Sequence, residues 1–303
     1  MADLEPYAIG LDVGGTNVKA VVVTQGGRVL HRRYVPTVDD TDATWKRDAR
    51  DVVALLEQAM GRPADAVGVC SPGIVAPHAR SVWWMLGKME ATMGFEWAPW
   101  LGRRDPVPVY NDAKAALLGE VGFGAARGAT NVALVTLGTG VGGALMCDGK
   151  LLRGHLGRAG HLGHMSVDHD GPPDLARTPG AIEYAIGQWS IERRTNGRFR
   201  DTEALVEAHR AGEALATEAW LRGVRALAAH VVSVINATDP EFVIIGGGIA
   251  KAGDALFTPL AAYLDEFEWR PFDRRVRVVR AALGSEAGAV GAAYGALTGG
   301  TEA

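Results

Sequence analysis

The segment Ile9–Lys19, IGLDVGGTNVK, constrains this chain more than any other. An apolar run from Tyr7 to Leu11 delivers a single aspartate, Asp12. Gly14, Gly15 and Thr16 follow at once, and a second strand-like run from Val18 to Val23 carries the chain back. Two strands around so short a turn predict a β-hairpin. Glycines without a Cβ let backbone N–H groups approach an anion closely. A carboxylate at the strand end is placed to hold Mg²⁺, directly or through a water. The segment therefore reads either as an ordinary glycine turn or as a phosphate-binding hairpin, with Asp12, Gly14, Gly15, Thr16 and Lys19 about the anion.

Two further glycine loops follow apolar strands. Leu137–Ala144, LGTGVGGA, comes after the apolar run Asn131–Val135, and Gly138, Thr139 and Gly140 offer N–H groups and a hydroxyl to a phosphate. Phe242–Ala250, FVIIGGGIA, runs a buried-type strand into Gly246, Gly247 and Gly248, where a purine or ribose can lie on bare backbone. Each alone is equally a tight turn. Their spread along the chain argues against a single Rossmann fingerprint, and none of them is a GxxxxGK[ST] loop.

The hairpin, LGTGVGGA, the segment Tyr110–Glu120 (YNDAKAALLGE) and the run Gly157–His164 (GRAGHLGH) are together similar to the motifs of ROK-family sugar kinases, glucokinase-like, in the family's order and over nearly the whole chain. The resemblance implies an α/β protein: a two-domain actin/hexokinase-like ATPase fold, with ribonuclease H-like domains and the nucleotide and sugar in the interdomain cleft. It implies ATP and Mg²⁺ as cofactors and a small-molecule sugar as partner. The expected domains are 1–113 plus 286–303, and 114–285. The expected activity is transfer of the γ-phosphate of ATP to a hexose or amino-hexose hydroxyl, the 6-hydroxyl, with glucose the default. The alternative is a sugar-binding sensor or regulator of the same family.

By position alone, Asp112 after the strand Val107–Tyr110 is a helix N-cap, a common place for aspartate. The match of Asn111-Asp112-Ala113 to the family's catalytic motif makes Asp112 the general base, with Asn111 on a sugar hydroxyl. Gly73, after Ser71-Pro72, falls on the sugar side. Lys114 stands where many family members carry asparagine and reads as solvent-facing, with a substrate contact as the alternative.

The chain departs from the family pattern twice. The usual E-x-G-H is His161-Leu162-Gly163-His164 here. A carboxylate accepts two or more hydroxyl hydrogen bonds, whereas a neutral imidazole accepts one and donates one. His161 and His164 are thus expected at the sugar with an altered hydroxyl pattern; the bland reading of His161 is a loop residue. Relatives then carry a zinc-binding cysteine cluster, but Val167–Glu183, VDHDGPPDLARTPGAIE, has no cysteine. Structural zinc takes four ligands, mostly thiolates and imidazoles, so no structural zinc is expected; His155, His161, His164 and His169 leave a four-histidine site as the alternative. Glu183 falls where the family has a sugar-binding glutamate, and it equally suits the first turn of a helix.

Composition narrows the function classes. The net charge of −4 and a pI near 6.1 give no basic field for nucleic acid or an anionic membrane. The two cysteines, Cys70 and Cys147, read as buried thiols of a reducing compartment. The start, MADLEPYAIG, lacks the basic and apolar regions of a secretion signal, and the expectation is a cytoplasmic protein, with a homodimer left open. The pattern predicts three strands within 7–35, a helix over 43–60, a strand at 65–70, helices at 202–211 and 212–236, and an Ala/Gly-rich final helix at 286–297 returning to the first domain. Residues 298–303 read as a frayed tail. Trp83, Trp84 and Trp97 lie in an irregular aromatic stretch and suit either a sugar wall or a small aromatic core or subunit interface.

Overall fold

A strand that must carry Asp12 to a tight turn has to be fixed from both sides, and the computed structural model shows how this is done. It describes residues 5–40, 43–85, 87 and 89–299. In chain order the main elements are β1 (Tyr7–Val13), β2 (Asn17–Thr24), β3 (Val29–Pro36), α1 (Thr44–Met60), β4 (Ala66–Ser71), β5 (Val109–Asn111) and α2 (Asp112–Phe123). There follow β6 (Val132–Leu137), β7 (Val141–Cys147), α3 (Thr202–Arg210), α4 (Ala214–Thr238), β8 (Phe242–Gly246), α5 (Asp254–Phe267), β9 (Arg277–Arg280) and α6 (Ala287–Leu297).

The chain divides into two compact units. The first comprises 1–130, 148–160 and 282–303; the second comprises 131–147 and 161–281. The division falls after Thr130 rather than at 113/114, because α2 packs on the first unit through Gly119 and Gly291, whose missing Cβ atoms admit the neighbouring helix backbone. The final helix belongs to that unit, as its Ala/Gly composition suggests. Of the tail expected to fray, Gly300–Ala303 lie outside the described residues.

In the first unit the strands run β3–β2–β1–β4–β5. The two-residue side-chain period of β1 decides its partners. Ile9, Leu11 and Val13 join Trp45, Val52, Val53 and Leu56 of α1 in one core. Ala8, with Ala289, Val290 and Ala293 of α6, forms another. Gly10 lies on this second face, and a Cβ there would collide with the Ala289 carbonyl. Asp12 shares that face, two residues on. Its register neighbours are Lys19 on β2 and Cys70 on β4.

The aromatic stretch resolves into two parts. Trp97 is buried and meets Trp45 and Phe95 at centroid distances of 5.8 and 5.1 Å. Trp83 and Trp84 are more than half exposed, at 54% and 55%.

In the second unit β7 pairs antiparallel with β6, β6 pairs parallel with β8, and β8 pairs parallel with β9. A hairpin followed by parallel strands thus occurs in both units. Its core joins Val135, Leu137 and Ile245 to Trp220, Leu227 and Val231 of α4. The indole N–H of Trp220 donates to the Ala255 carbonyl at 2.8 Å. Both cysteines are free thiols; Cys70 is buried, but Cys147 at the end of β7 is only half-buried. Among the described residues no helix is long and apolar enough to cross a membrane.

Candidate functional site

The first unit gathers the hairpin residues with Asn111 and Asp112. Sheet register brings Ser71 of β4 beside Asn111 at the end of β5. The helix α2 begins immediately, and its cap is Asn111, not Asp112. Asn111 Oδ1 accepts from the N–H groups of Ala113 and Lys114 at 3.1 and 3.3 Å. That satisfies N–H groups which an uncapped helix start leaves open. Asn111 Nδ2 donates to the Gly73 carbonyl at 3.1 Å, so these two expected sugar-side residues are joined.

Relieved of capping, Asp112 is the first helical residue. Its Oδ1 accepts the next N–H, that of Ala113, at 2.8 Å, and its carboxylate also takes a hydrogen bond from the Asn111 amide. The residue is open to solvent on one side, yet the protein around its carboxyl raises its pKa. Desolvation is the main cause, the negative charge of Asp12 adds to it, and the Ala113 N–H opposes both. A carboxylate with a raised pKa, held by the Ala113 N–H and the Asn111 amide, retains lone pairs and the basicity to take a proton.

Asp12 is half-buried, and its Oδ2 receives the Lys19 ammonium at 3.2 Å. Lys19 also donates to the Ser285 carbonyl at 3.0 Å, so its charge is committed to Asp12 and to the segment before α6. Cys70 lies beneath; burial, then the charges of Asp12 and Asp112, push its thiol well above the ordinary range. It is an inert spacer rather than a nucleophile. At the hairpin tip, Gly14 N–H donates to the Asn17 carbonyl at 3.1 Å, and the Thr37 hydroxyl donates to the Gly14 carbonyl at 2.6 Å. Among the described residues the N–H groups of Gly15 and Thr16 meet no protein acceptor.

Lys114 corrects the reading from sequence. It is buried rather than solvent-facing, at 4% exposure, and its ammonium donates to the Gly157 carbonyl at 2.7 Å. Burial, with a smaller contribution from Arg153, lowers its pKa to about 8.

The second unit brings together the other two glycine loops. Parallel pairing sets Gly246 beside Thr136. Gly247 has a φ of +87°, and a Cβ there would strike the Leu137 backbone, so bare backbone meets bare backbone at this point. The loop Gly138–Gly140 is held from below. Gln188 and Trp189 N–H groups donate to the Gly138 and Thr139 carbonyls at 3.1 and 3.0 Å. Thr139 and Gly140 N–H groups have no protein acceptor among the described residues. In the first unit the open N–H groups of Gly15 and Thr16, with Asp12, suit a phosphate and its Mg²⁺; in the second unit the open N–H groups of Thr139 and Gly140 suit a phosphate.

Glu183 is buried, and its Oε2 accepts the Val141 N–H at 3.0 Å. A Cβ on Gly140 would overlap this carboxylate, so Glu183 sits directly against the glycine loop. His161 is half-buried and opens the short turn Leu162–His164. That turn presses on β7, because Gly163 lets the Val141 carbonyl approach and Gly143 admits Leu162.

His164 is fixed by a residue that sequence reasoning missed. Its Nδ1 lies 2.7 Å from Asp174 Oδ2, and the Asp174 side chain is fully buried. Asp174 Oδ1 also accepts the Thr178 N–H at 2.8 Å. One aspartate thus ties the loop 168–180 to the histidine. The signal for it was an aspartate set between Pro172-Pro173 and Pro179 in an otherwise exposed loop. Among the described residues no three His, Cys, Asp or Glu side chains gather to hold a metal, so the four-histidine alternative has no geometry to support it.

The model of the ROK family matches residues 8–298. A glucokinase of Thermotoga maritima is 33% identical, with 94% of this chain and 95% of the relative covered. A glucokinase of Streptomyces coelicolor is 32% identical over 94% and 96%. The crystal structure of a ROK hexokinase from Thermus thermophilus superposes with a TM-score of 0.83 at 30% identity, covering 97% and 98% of the two chains. A ROK glucokinase from Streptomyces griseus, in complex with glucose and AMPPNP, gives 0.74 at 27% identity over 96% and 99%. The fold is accordingly the two-domain actin-like ATPase fold, and the chain belongs to the ROK family.

Proposed function

We propose that this protein is an ATP-dependent sugar kinase that phosphorylates the 6-hydroxyl of a hexose or amino hexose in the cytoplasm, with glucose the first candidate. The observation that carries the reading is the division of labour at the start of α2. Asn111 caps the helix, which frees Asp112 from capping, and its pKa is raised. In this reading Asp112 accepts the proton of the attacking hydroxyl, and Asn111 and the Gly73 turn orient the sugar. The N–H groups of Gly15, Thr16, Thr139 and Gly140 receive phosphate oxygens, while Gly246–Gly248 accept the nucleoside. Asp12 would hold Mg²⁺ directly or through water, and the metal, when bound, neutralises charge on the phosphates. Phosphoryl transfer asks of a protein mainly such positioning and charge stabilisation.

His161, His164 and Glu183 form the remaining sugar wall in this reading. Support comes from the turn that carries both histidines, whose Leu162 and Gly163 press on β7, and from Glu183 beside the glycine loop. The test is a coupled ADP-release assay over hexoses, amino sugars and polyols, with 6-deoxyglucose as a control. Turnover with glucose and none with 6-deoxyglucose is the expected result. Turnover with 6-deoxyglucose equal to that with glucose would remove the 6-hydroxyl from the proposal, and no sugar-dependent ADP release would remove the kinase.

A further inference from the structure

A cavity of about 770 Å³ opens in the second unit, and none of the residues assigned above lines it. Its walls are the loop 167–181, the short helices Ile182–Ile186 and Ile191–Arg194, and the first half of α4. The volume lies in the range of small-molecule sites. Val167, Pro172, Phe199 and Leu215 supply apolar surface, and Tyr184 adds an aromatic wall with a polar tip.

The charge of this cavity is unbalanced. Four arginines line it, Arg193, Arg194, Arg198 and Arg222, against two carboxylates, Asp168 and Glu218. Arg198 is paired with Glu213 at 3.2 Å. Arg222 and Glu218 make only a loose exposed pair at 4.0 Å. Arg193 lies over the Trp189 ring. Arg194 is the distinctive one. It is half-buried, and among the described residues no carboxylate lies within ion-pair distance of it. Its Nε donates to the Ser190 hydroxyl at 2.9 Å, and one terminal nitrogen reaches the Gly187 carbonyl at 3.4 Å. The other terminal nitrogen lies beside Gly223, on the cavity wall, with no acceptor among the described residues. Burial pulls its pKa down to about 10, so the guanidinium remains charged at neutral pH. A desolvated cation without a counter-charge is costly. A planar guanidinium edge facing a cavity is suited to a phosphate.

We propose that this cavity is a binding site for a small phosphorylated metabolite, its phosphate anchored on Arg194 and its organic body against the Tyr184–Phe199 wall. The site stands apart from the residues assigned to phosphoryl transfer and does not depend on that assignment. Arg194 is nevertheless joined to the Gly138–Gly140 loop through Gly187 and the turn that follows, since Gln188 and Trp189 bond the loop carbonyls.

The test is isothermal titration of the full chain with glycerol 3-phosphate, inorganic phosphate and glycerol. The expected result is saturable binding of glycerol 3-phosphate, weaker binding of inorganic phosphate and none of glycerol. Arg194→Gln should weaken glycerol 3-phosphate by about tenfold or more, the scale of one lost charge-assisted bond. Because Arg194 also supports a turn, Arg222→Glu on the exposed face of α4 is the second variant. It should weaken binding several-fold without moving Tm. Binding that survives both variants unchanged belongs to the glycine loops and overturns the proposal, as does the absence of saturable binding. Equal affinity for inorganic phosphate overturns the metabolite assignment. Self-association of the chain through this face without anion binding would assign the arginines to a second copy instead.

Discussion

Lys114 offers a perturbation whose size follows from the structure. Its ammonium is buried in the first turn of α2, bonded to one carbonyl, and its only charged neighbour among the causes of its shift is the like-charged Arg153. Its pKa falls from the usual 10.5 to about 8. The sign follows from proton counts. Between these values the unfolded chain holds the proton and the folded chain has released it, so stability rises with pH across that window. Below about pH 8 both states are protonated and the full cost of burying the charge is present. The depression of 2.5 units corresponds to about 3 kcal/mol. Lys114→Met has no such group, although it leaves the Gly157 carbonyl unpaired, a pH-independent loss of about 1–3 kcal/mol. Urea unfolding of both proteins at pH 7, 8, 9 and 10 isolates the titrating part. The stability of the wild type relative to Lys114→Met should climb by about 2–3 kcal/mol over that range. Parallel curves would show that the amine is hydrated and not held as described.

Other expectations concern packing, the loop and specificity. Gly10→Ala should destabilise the protein by about 1–3 kcal/mol or more in chemical unfolding, because α6 must retreat from β1 to admit the methyl; an unchanged midpoint would show that this contact is loose. Asp174→Ala leaves the Thr178 N–H and the His164 ring without their buried acceptor. It should cost about 1–3 kcal/mol and raise KM for the sugar more than it lowers kcat; unaltered KM would detach the loop from the sugar. His161→Glu should move sugar preference toward glucose, since a site built for one hydroxyl pattern rejects another, and an unchanged ranking of kcat/KM over a hexose panel would make His161 structural.

Much of this architecture was legible because its signals are local. Apolar runs leading into or flanking glycine turns marked β1, β2, β6 and β8, and the Ala/Gly content of 287–297 marked a helix that must pack closely. What escaped the sequence is non-local. The cap fell to Asn111 because β5 ends one residue earlier than Asp112 requires for capping. Lys114 is buried because Gly157, far along the chain, brings a carbonyl to it. Asp174 finds His164 only through the fold of a proline-bounded loop. The domain division shifted because α2 packs on α6, a contact between segments distant in sequence. Strand β9 carries arginines at both ends, so its pattern gave little sign of a strand, and α5 contains Pro259, an ordinary warning against a helix.

The central claim is that Asp112 takes the proton in phosphoryl transfer, and Asp112→Asn tests it most directly. The substitution keeps the size of the side chain and leaves the Asn111 cap intact, so the fold and nucleotide binding should persist. Steady-state kinetics with the preferred sugar should show kcat reduced by about 10²–10⁴-fold. In the wild type, kcat/KM should fall on the acid side at a pH above the usual carboxylate range, because desolvation raises the pKa of this group. A folded Asp112→Asn protein that retains more than about half of the wild-type kcat would contradict the account, since loss of a general base costs about a hundredfold at least.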